Sequence, residues 1–238
     1  MKALKTAHKV SLFILFILLV DQLVKIWVKT NMSYGDEIFL FGWDRLRIHF
    51  VENNGMAFGL SLGGSWGKLL LSLFRIVAVG FLIYYLRVLI KNKASFGLLA
   101  CFGLILAGAM GNILDSVFYG VIFSDSIPGG PAAILFPPEG GYSNLLHGRV
   151  VDMFYFPIFE GNFPQWFPFW KGEHYIFFRP VFNVADSAIT IGVLSLILFH
   201  RSFFTAETDK KQQETAVTNE LITAVPEGPV ESPQTDSN

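Results

Sequence analysis

Four aspartates stand where an ordinary soluble domain rarely puts them. Asp21, Asp115 and Asp186 lie inside long apolar runs, and Asp152 sits within Val150-Val151-Asp152-Met153-Phe154. A charged side chain in an apolar span is costly, so each such group is a functional candidate by default. Two carboxyls that come close together in a low-dielectric site do not both ionise, which leaves one as a base and one as an acid. Such a pair can draw a proton from water while polarising a carbonyl, the chemistry of an aspartic peptidase working without metal or covalent intermediate. Taken singly, each Asp has a plainer reading as a helix cap, a water-facing group or the partner of a cation such as Lys25. Residue type and spacing do not choose the pair among the four.

Other chemistries find less support. His8, His49, His147, His174 and His200 are scattered, with no H-E-x-x-H pair to hold zinc. Cys101 is the single cysteine, which excludes an internal disulfide and any multi-cysteine metal site. Gly63-Gly64-Ser65-Trp66-Gly67 has the G-x-S-x-G form, but no strand precedes it and a long apolar run follows. Ser65 is therefore read as part of a loop. No metal or cofactor is implied.

The elements that must position the acids are membrane helices. Of the 238 residues 52% are hydrophobic and only 16% charged, well below the quarter typical of soluble domains. Four runs, about 10–28, 68–90, 96–119 and 182–199, approach the roughly 20 residues that cross a bilayer core. Lys2, Lys5 and Lys9 before the first, Arg87, Lys91 and Lys93 between the second and third, and Arg201 after the fourth place both termini in the cytoplasm. Asp21, Asp115 and Asp186 then fall in the outer half of the membrane, beside Asp152.

Two outer loops follow, 30–67 and 120–181. In the first, Arg45 to Val51 alternates polar and apolar residues, the period of a half-buried strand in a small sheet. The second is long and aromatic, with Tyr155, Trp166, Trp170 and Tyr175 suited to lie at the membrane surface. Residues 1–205 are expected to form the membrane domain. Residues 206–238 hold seven of the 19 acidic side chains but two of the 18 basic ones, and read as a disordered acidic cytoplasmic tail. The fold class is thus a mainly α membrane protein with four transmembrane helices, a small extracytoplasmic β-sheet and a long aromatic loop. No dense basic stripe points to nucleic acid.

Five motifs in order resemble lipoprotein signal peptidase, the signal peptidase II family. They are Asp21-Gln22-Leu23-Val24-Lys25, Asn53-Asn54-Gly55-Met56-Ala57-Phe58, Gly108 to Asp115, Val150 to Phe154, and Phe182-Asn183-Val184-Ala185-Asp186-Ser187-Ala188-Ile189. The resemblance implies that Asp152 and Asp186 are the catalytic pair. It implies that Asp21, Asn53, Asn112 and Asn183 line or support the site, and that Asp115, Gly55 and Gly111 are structural neighbours. It further implies an inner-membrane enzyme with its site at the outer face. Its substrates would be prolipoproteins, cut on the amino side of a diacylglyceryl-modified Cys, with membrane lipids around it. No residue pattern sets an oligomeric state, and a monomer is compatible.

Two departures stand out. The family usually has Arg directly after the helix-three Asp, where this chain has Ser116; Arg149, three residues before Asp152, is the substitute suggested by sequence proximity. The stretch Val121 to His147 is an insertion, read either as a surface flap over substrate or as a plain loop. The rival functions are a small transporter or proton relay with buried Asp residues, and a non-catalytic membrane adaptor. The absence of repeated halves argues against transport, and the adaptor reading leaves the acidic motifs without a role.

Overall fold

The computed structural model describes residues 2–43, 45–54, 64–157, 159–162, 164–166, 171–177, 181–201 and 203. Gly55, Trp170 and the tail 206–238 lie outside these. Met1–Ser195 forms one compact unit. Leu196–Asn238 forms a second, in which the last helix runs on to Phe199.

Apolar sequence sets the helices. α1 spans Lys2–Asn31, α2 Gly64–Lys91 and α3 Phe96–Leu114. Beyond α3 the helix widens to a π turn over Asp115–Tyr119 and closes in the short α4, Gly120–Ile122. Among the described residues, the helical runs Leu4–Asn31, Trp66–Lys91 and Phe96–Ile122 are long and apolar enough to cross a membrane. α5, Val184–Phe199, is apolar and shorter. Leu12, Phe16, Leu19 and Leu23 on α1 and Leu70, Phe74, Val77 and Phe81 on α2 are all exposed. Lipid would cover such faces, and in a bilayer they cost nothing. α1 continues beyond the expected 10–28 because Lys25 and Lys29 are buried against protein partners rather than ending the helix.

The strands lie outside the helical runs. β1 (Glu37–Phe39), β2 (Arg47–Asn53), β3 (Val150–Tyr155) and β6 (Val181–Phe182) form one antiparallel sheet in the order β1-β2-β3-β6. β4 (Phe159–Asn162) and β5 (His174–Phe177) pair separately. The expected strand in the first loop is therefore present. Its sheet is completed by strands from the second loop, which the aromatic composition of that loop had masked.

Register then places the chemistry. Val51 pairs with Asp152 and Asn53 with Val150, after a shift between Ile48 and Val51. Phe154 pairs with Phe182, and the chain passes through Asn183 directly into α5. Asn183 is thereby held beside Asp152. Beneath the sheet, Val28, Met32, Phe50, Tyr119, Phe123, Val151 and Met153 form a buried core joining α1, the α3 end and both central strands.

The Val121–His147 insertion caps the α3 end. A helix terminus leaves carbonyls without intrahelical partners, and a π turn displaces more of them. Gly148 N–H donates to Ser116 O at 2.9 Å, Leu146 to Val117 at 3.1 Å, Ser143 to Gly120 at 2.8 Å and Phe136 to Ile122 at 2.7 Å. Ala133 N–H also reaches Lys29 O at 3.0 Å. Gly148 makes this approach possible, since a Cβ there would stand 2.1 Å from Asp115 O. The insertion is thus a packed element in this conformation.

Candidate active site

Two layers of acid meet at one end of the bundle. The deeper layer centres on Lys25, which is fully buried. Its ammonium lies 3.0 Å from Asp21 Oδ2 and 2.8 Å from Asp115 Oδ2. It also donates to Asn112 Oδ1 at 2.8 Å. Three donors therefore meet three acceptors on two helices. Gln22 Nε2 spans the same carboxylates, at 3.1 Å from Asp21 and 3.0 Å from Asp115. The free oxygen of Asp21 accepts from Ala185 N–H at 2.8 Å, tying in the first turn of α5. Asp115 Oδ2 accepts from Val151 N–H at 3.3 Å. For Asp21 and Asp115, the plain reading as partners of Lys25 is the geometry found.

The upper layer holds Asp152 and Asp186. Asp186 is the third residue of α5, and Asn183 precedes that helix as its cap. Asp186 N–H donates to Asn183 Oδ1 at 2.8 Å, and Asn183 N–H returns to Asp186 Oδ2 at 3.4 Å, the reciprocal pattern of a capping box. Asn183 Nδ2 donates to Asp152 Oδ1 at 2.6 Å, while Asn53 Nδ2 donates to Asp152 Oδ2. Asn112 Nδ2 donates to Asp186 Oδ1 at 2.8 Å.

The direction of these carboxamides follows from chemistry. An ammonium only donates, so Lys25 fixes the Asn112 oxygen toward itself and turns the Asn112 NH2 group to Asp186. A backbone N–H only donates, so Asp186 fixes the Asn183 oxygen and turns its NH2 group to Asp152. Neutral donors thus orient both carboxyls without adding charge.

Asp152 is 4% exposed. Burial, reinforced by the negative charge of Asp186, pushes its carboxyl up to about 7. It can therefore keep a proton near neutral pH. Gly111 packs where a Cβ would meet Asp21 Oδ2 at 2.5 Å, so glycine there permits the approach of α1 to α3. Gly55 lies outside the described residues.

Arg149 belongs to a different cluster. Its Nε lies 3.1 Å from Glu52 Oε2, its terminal nitrogen pairs with Asp125, and its guanidinium stacks 4.3 Å from the Tyr142 ring. Lys29 pairs with Glu52 from the other side and donates to Ser126 Oγ at 2.8 Å. Arg149 and Asp152 are three residues apart along extended chain, so they point to opposite faces. Sequence proximity misleads here. The Glu52 side chain is fully buried, and Arg149→Gln leaves it ion-paired with Lys29 alone among the described residues. The expected result is a loss of about 1–3 kcal/mol of stability, read as a lower Tm, with the pH dependence of cleavage unmoved. An unchanged Tm would show that the cluster does not hold the insertion in place.

Ser116, where the family usually has Arg, is 2% exposed and donates to Asn112 O at 3.0 Å. Gln22 escaped the sequence reading although it stands within the first motif, whereas Lys25 was read there as a possible partner of an Asp, a reading that the i, i+4 spacing of Asp21 and Lys25 supports.

A family model described as signal peptidase (SPase) II matches residues 13–203. The chain belongs to the signal peptidase II family. It is 56% identical over 190 residues to a lipoprotein signal peptidase of Porphyromonas gingivalis, covering 79% of this chain and 81% of the relative. It is 35% identical over 212 residues to one from Amoebophilus asiaticus, covering 87% and 84%. A solved bacterial membrane enzyme aligns with a TM-score of 0.51 at 26% identity, over 80% of this chain and 91% of that one. Another aligns at 0.52 and 22% identity, over 85% and 92%, which bears on the fold alone. As a signal peptidase II, the chain is an aspartic peptidase of a bacterial membrane, and transport finds no support.

Proposed function

We propose that Asp152 and Asp186 form the catalytic pair of this signal peptidase II, with Asp152 as the acid and Asp186 as the base. The activity is removal of signal peptides from prolipoproteins, and the bond cut lies on the amino side of a diacylglyceryl-modified Cys. The observation that carries the assignment is Asn183, whose one carboxamide holds Asp152 on its nitrogen and the Asp186 backbone on its oxygen. Burial favours the protonated form of Asp152. Asp186 stands in the first turn of α5, where the helix dipole favours negative charge.

The step balances. Asp186 accepts a proton from water as the water oxygen bonds to the scissile carbonyl carbon, and Asp152 gives its proton to the carbonyl oxygen. Collapse of the resulting diol breaks the C–N bond, returns a proton to Asp152, and sends the proton on Asp186 to the departing amine.

The membrane setting is part of the same reading. Four helices cross, with both termini cytoplasmic and the site at the outer face. α5 has 16 residues, about 24 Å of rise, and Arg201 stands at its inner end. Residues 1–205 are the peptidase domain, and 206–238 an acidic tail without a catalytic part. The second loop rests on the membrane surface, as the exposure of Trp166 supports. A site at this boundary lets a substrate keep its acyl chains in lipid while its peptide bond meets water.

Purified protein incubated with a diacylglyceryl-modified precursor tests the proposal. Cleavage before the lipidated Cys should fall at least about 1,000-fold in both Asp152→Asn and Asp186→Asn. Substantial turnover by either folded variant would remove that residue from the pair.

A further inference from the structure

α2 is a membrane-length helix with a polar stripe. Lys68, Ser72 and Arg75 recur at i, i+4 and i+7, so at about 100° per residue they share one face. Leu70, Phe74, Val77 and Phe81, all exposed, lie on roughly the opposite face. Two members of the stripe have partners that fix where it points. Lys68 Nζ donates to Asn54 Oδ1 at 3.2 Å, next to the Asn53 that holds Asp152. The buried Ser72 hydroxyl donates to Leu146 O at 2.9 Å, in the loop leading to β3. Arg75, one turn deeper on the same face and half-buried, lies within electrostatic reach of Asp186, Asp115 and Asp152.

The local charge balance needs such a group. Four acids converge on this end of the bundle, and Lys25, buried against Asp21 and Asp115, offsets one of the two carboxylates of the lower layer. The position after Asp115 carries a neutral serine that bonds within its own helix. Arg149 is engaged with Glu52 and Asp125.

We propose that Arg75 is a positioning residue for the peptidase reaction, supplying from α2 the positive charge that keeps the negative charge of the pair on Asp186 and the proton on Asp152. The inference rests on the assignment of that pair. The charged groups facing the pair are Asp21 and Lys25 from α1, Arg75 from α2 and Asp115 from the π turn. Lys68 lies within electrostatic reach of Arg75 itself. A guanidinium suits the place because it is weakly hydrated and presents its charge from a planar fork matched to carboxylates.

The test compares wild type, Arg75→Gln, Arg75→Lys and Asp186→Asn as full-length protein, with a diacylglyceryl-modified precursor across pH 5–9. Arg75→Gln removes a charge from an apolar helix, so folding should survive, as thermal unfolding will report. Its kcat should fall about 10- to 100-fold with KM changed little. Both limbs of its pH profile should move upward by about one unit, because a nearby positive charge favours ionised carboxylates. Arg75→Lys should keep the limbs in place and recover most of the rate. A rate loss with unmoved limbs, or no loss at all, overturns the proposal. Should the Gln variant fail to fold, the Lys variant decides: limbs retained with kcat within about fivefold support the role, and displaced limbs reject it. Activity in folded Asp186→Asn would instead reject the pair on which the inference rests.

Discussion

Asp152→Asn is expected to abolish cleavage and at the same time to stabilise the protein above neutral pH. The two effects share one cause. In the fold, burial and Asp186 raise the Asp152 carboxyl to about 7, whereas an unfolded Asp titrates near 4. Between those values the folded state binds more protons than the unfolded chain, so stability falls as pH rises from about 4 through about 7 and is level beyond. A shift of that size corresponds to about 2–4 kcal/mol above pH 7 after allowance for coupling to Asp186. Asparagine has no proton to lose and escapes the penalty. Its oxygen can still accept from Asn183, and its NH2 group can meet Asn53 once that carboxamide turns over. Tm measured at pH 5 and pH 8 checks this. The wild type should drop between the two while the variant stays nearly level, so that the variant is the more stable at pH 8. A variant less stable than wild type at both values would mean that Asp152 is not destabilised where it sits, and its role as the acid would lose its physical basis.

The sequence was most informative where one physical constraint dominates. Long apolar runs have few alternatives to helix, and α1, α2, α3 and α5 fall on the four that were read. Alternation over Arg45 to Val51 likewise found β2. The acids were legible as expensive groups at one end of the bundle, but their division into two layers was not. That division depends on which helix Lys25 faces and on Asn183 standing between a strand and a helix, both properties of packing. Arg149 shows the opposite error. Nearness in sequence suggested it for the site, yet the period of an extended segment turns it away from Asp152 and onto Glu52. Arg75 is 77 positions from Asp152 in the numbering, and only helix packing brings its face of α2 toward the carboxylates. The insertion, rich in Pro and Gly, carries no periodic signal; its form comes from the helix-end carbonyls it caps.

The other large effect is expected from Lys25, which lies outside the catalytic pair. Lys25→Met keeps the apolar stem and removes the ammonium, leaving Asp21 and Asp115, 1% and 0% exposed, with Gln22 as a shared neutral donor. Removing one partner of a buried ion cluster costs about 3–5 kcal/mol, because the remaining charges stay behind without compensation. The loss should spread to the chemistry. Asn112 loses the shorter of the two donors that turn its NH2 group toward Asp186, Asn183 Nδ2 at 3.2 Å remaining, and Asp21, which holds Ala185 N–H at 2.8 Å, loses the cation that anchors it. The first turn of α5 would then be free to shift, and a displacement of about 1 Å at a reacting group can cost about 100-fold in rate. A lower Tm together with impaired cleavage is therefore expected for Lys25→Met. Adding Asp115→Asn should restore part of the stability, since it removes one of the two stranded charges, and the two substitutions should be non-additive by about 1–3 kcal/mol. Strict additivity would mean that Lys25 and Asp115 do not share their charge. In that case the lower layer would not be the brace on which the position of Asp186 depends.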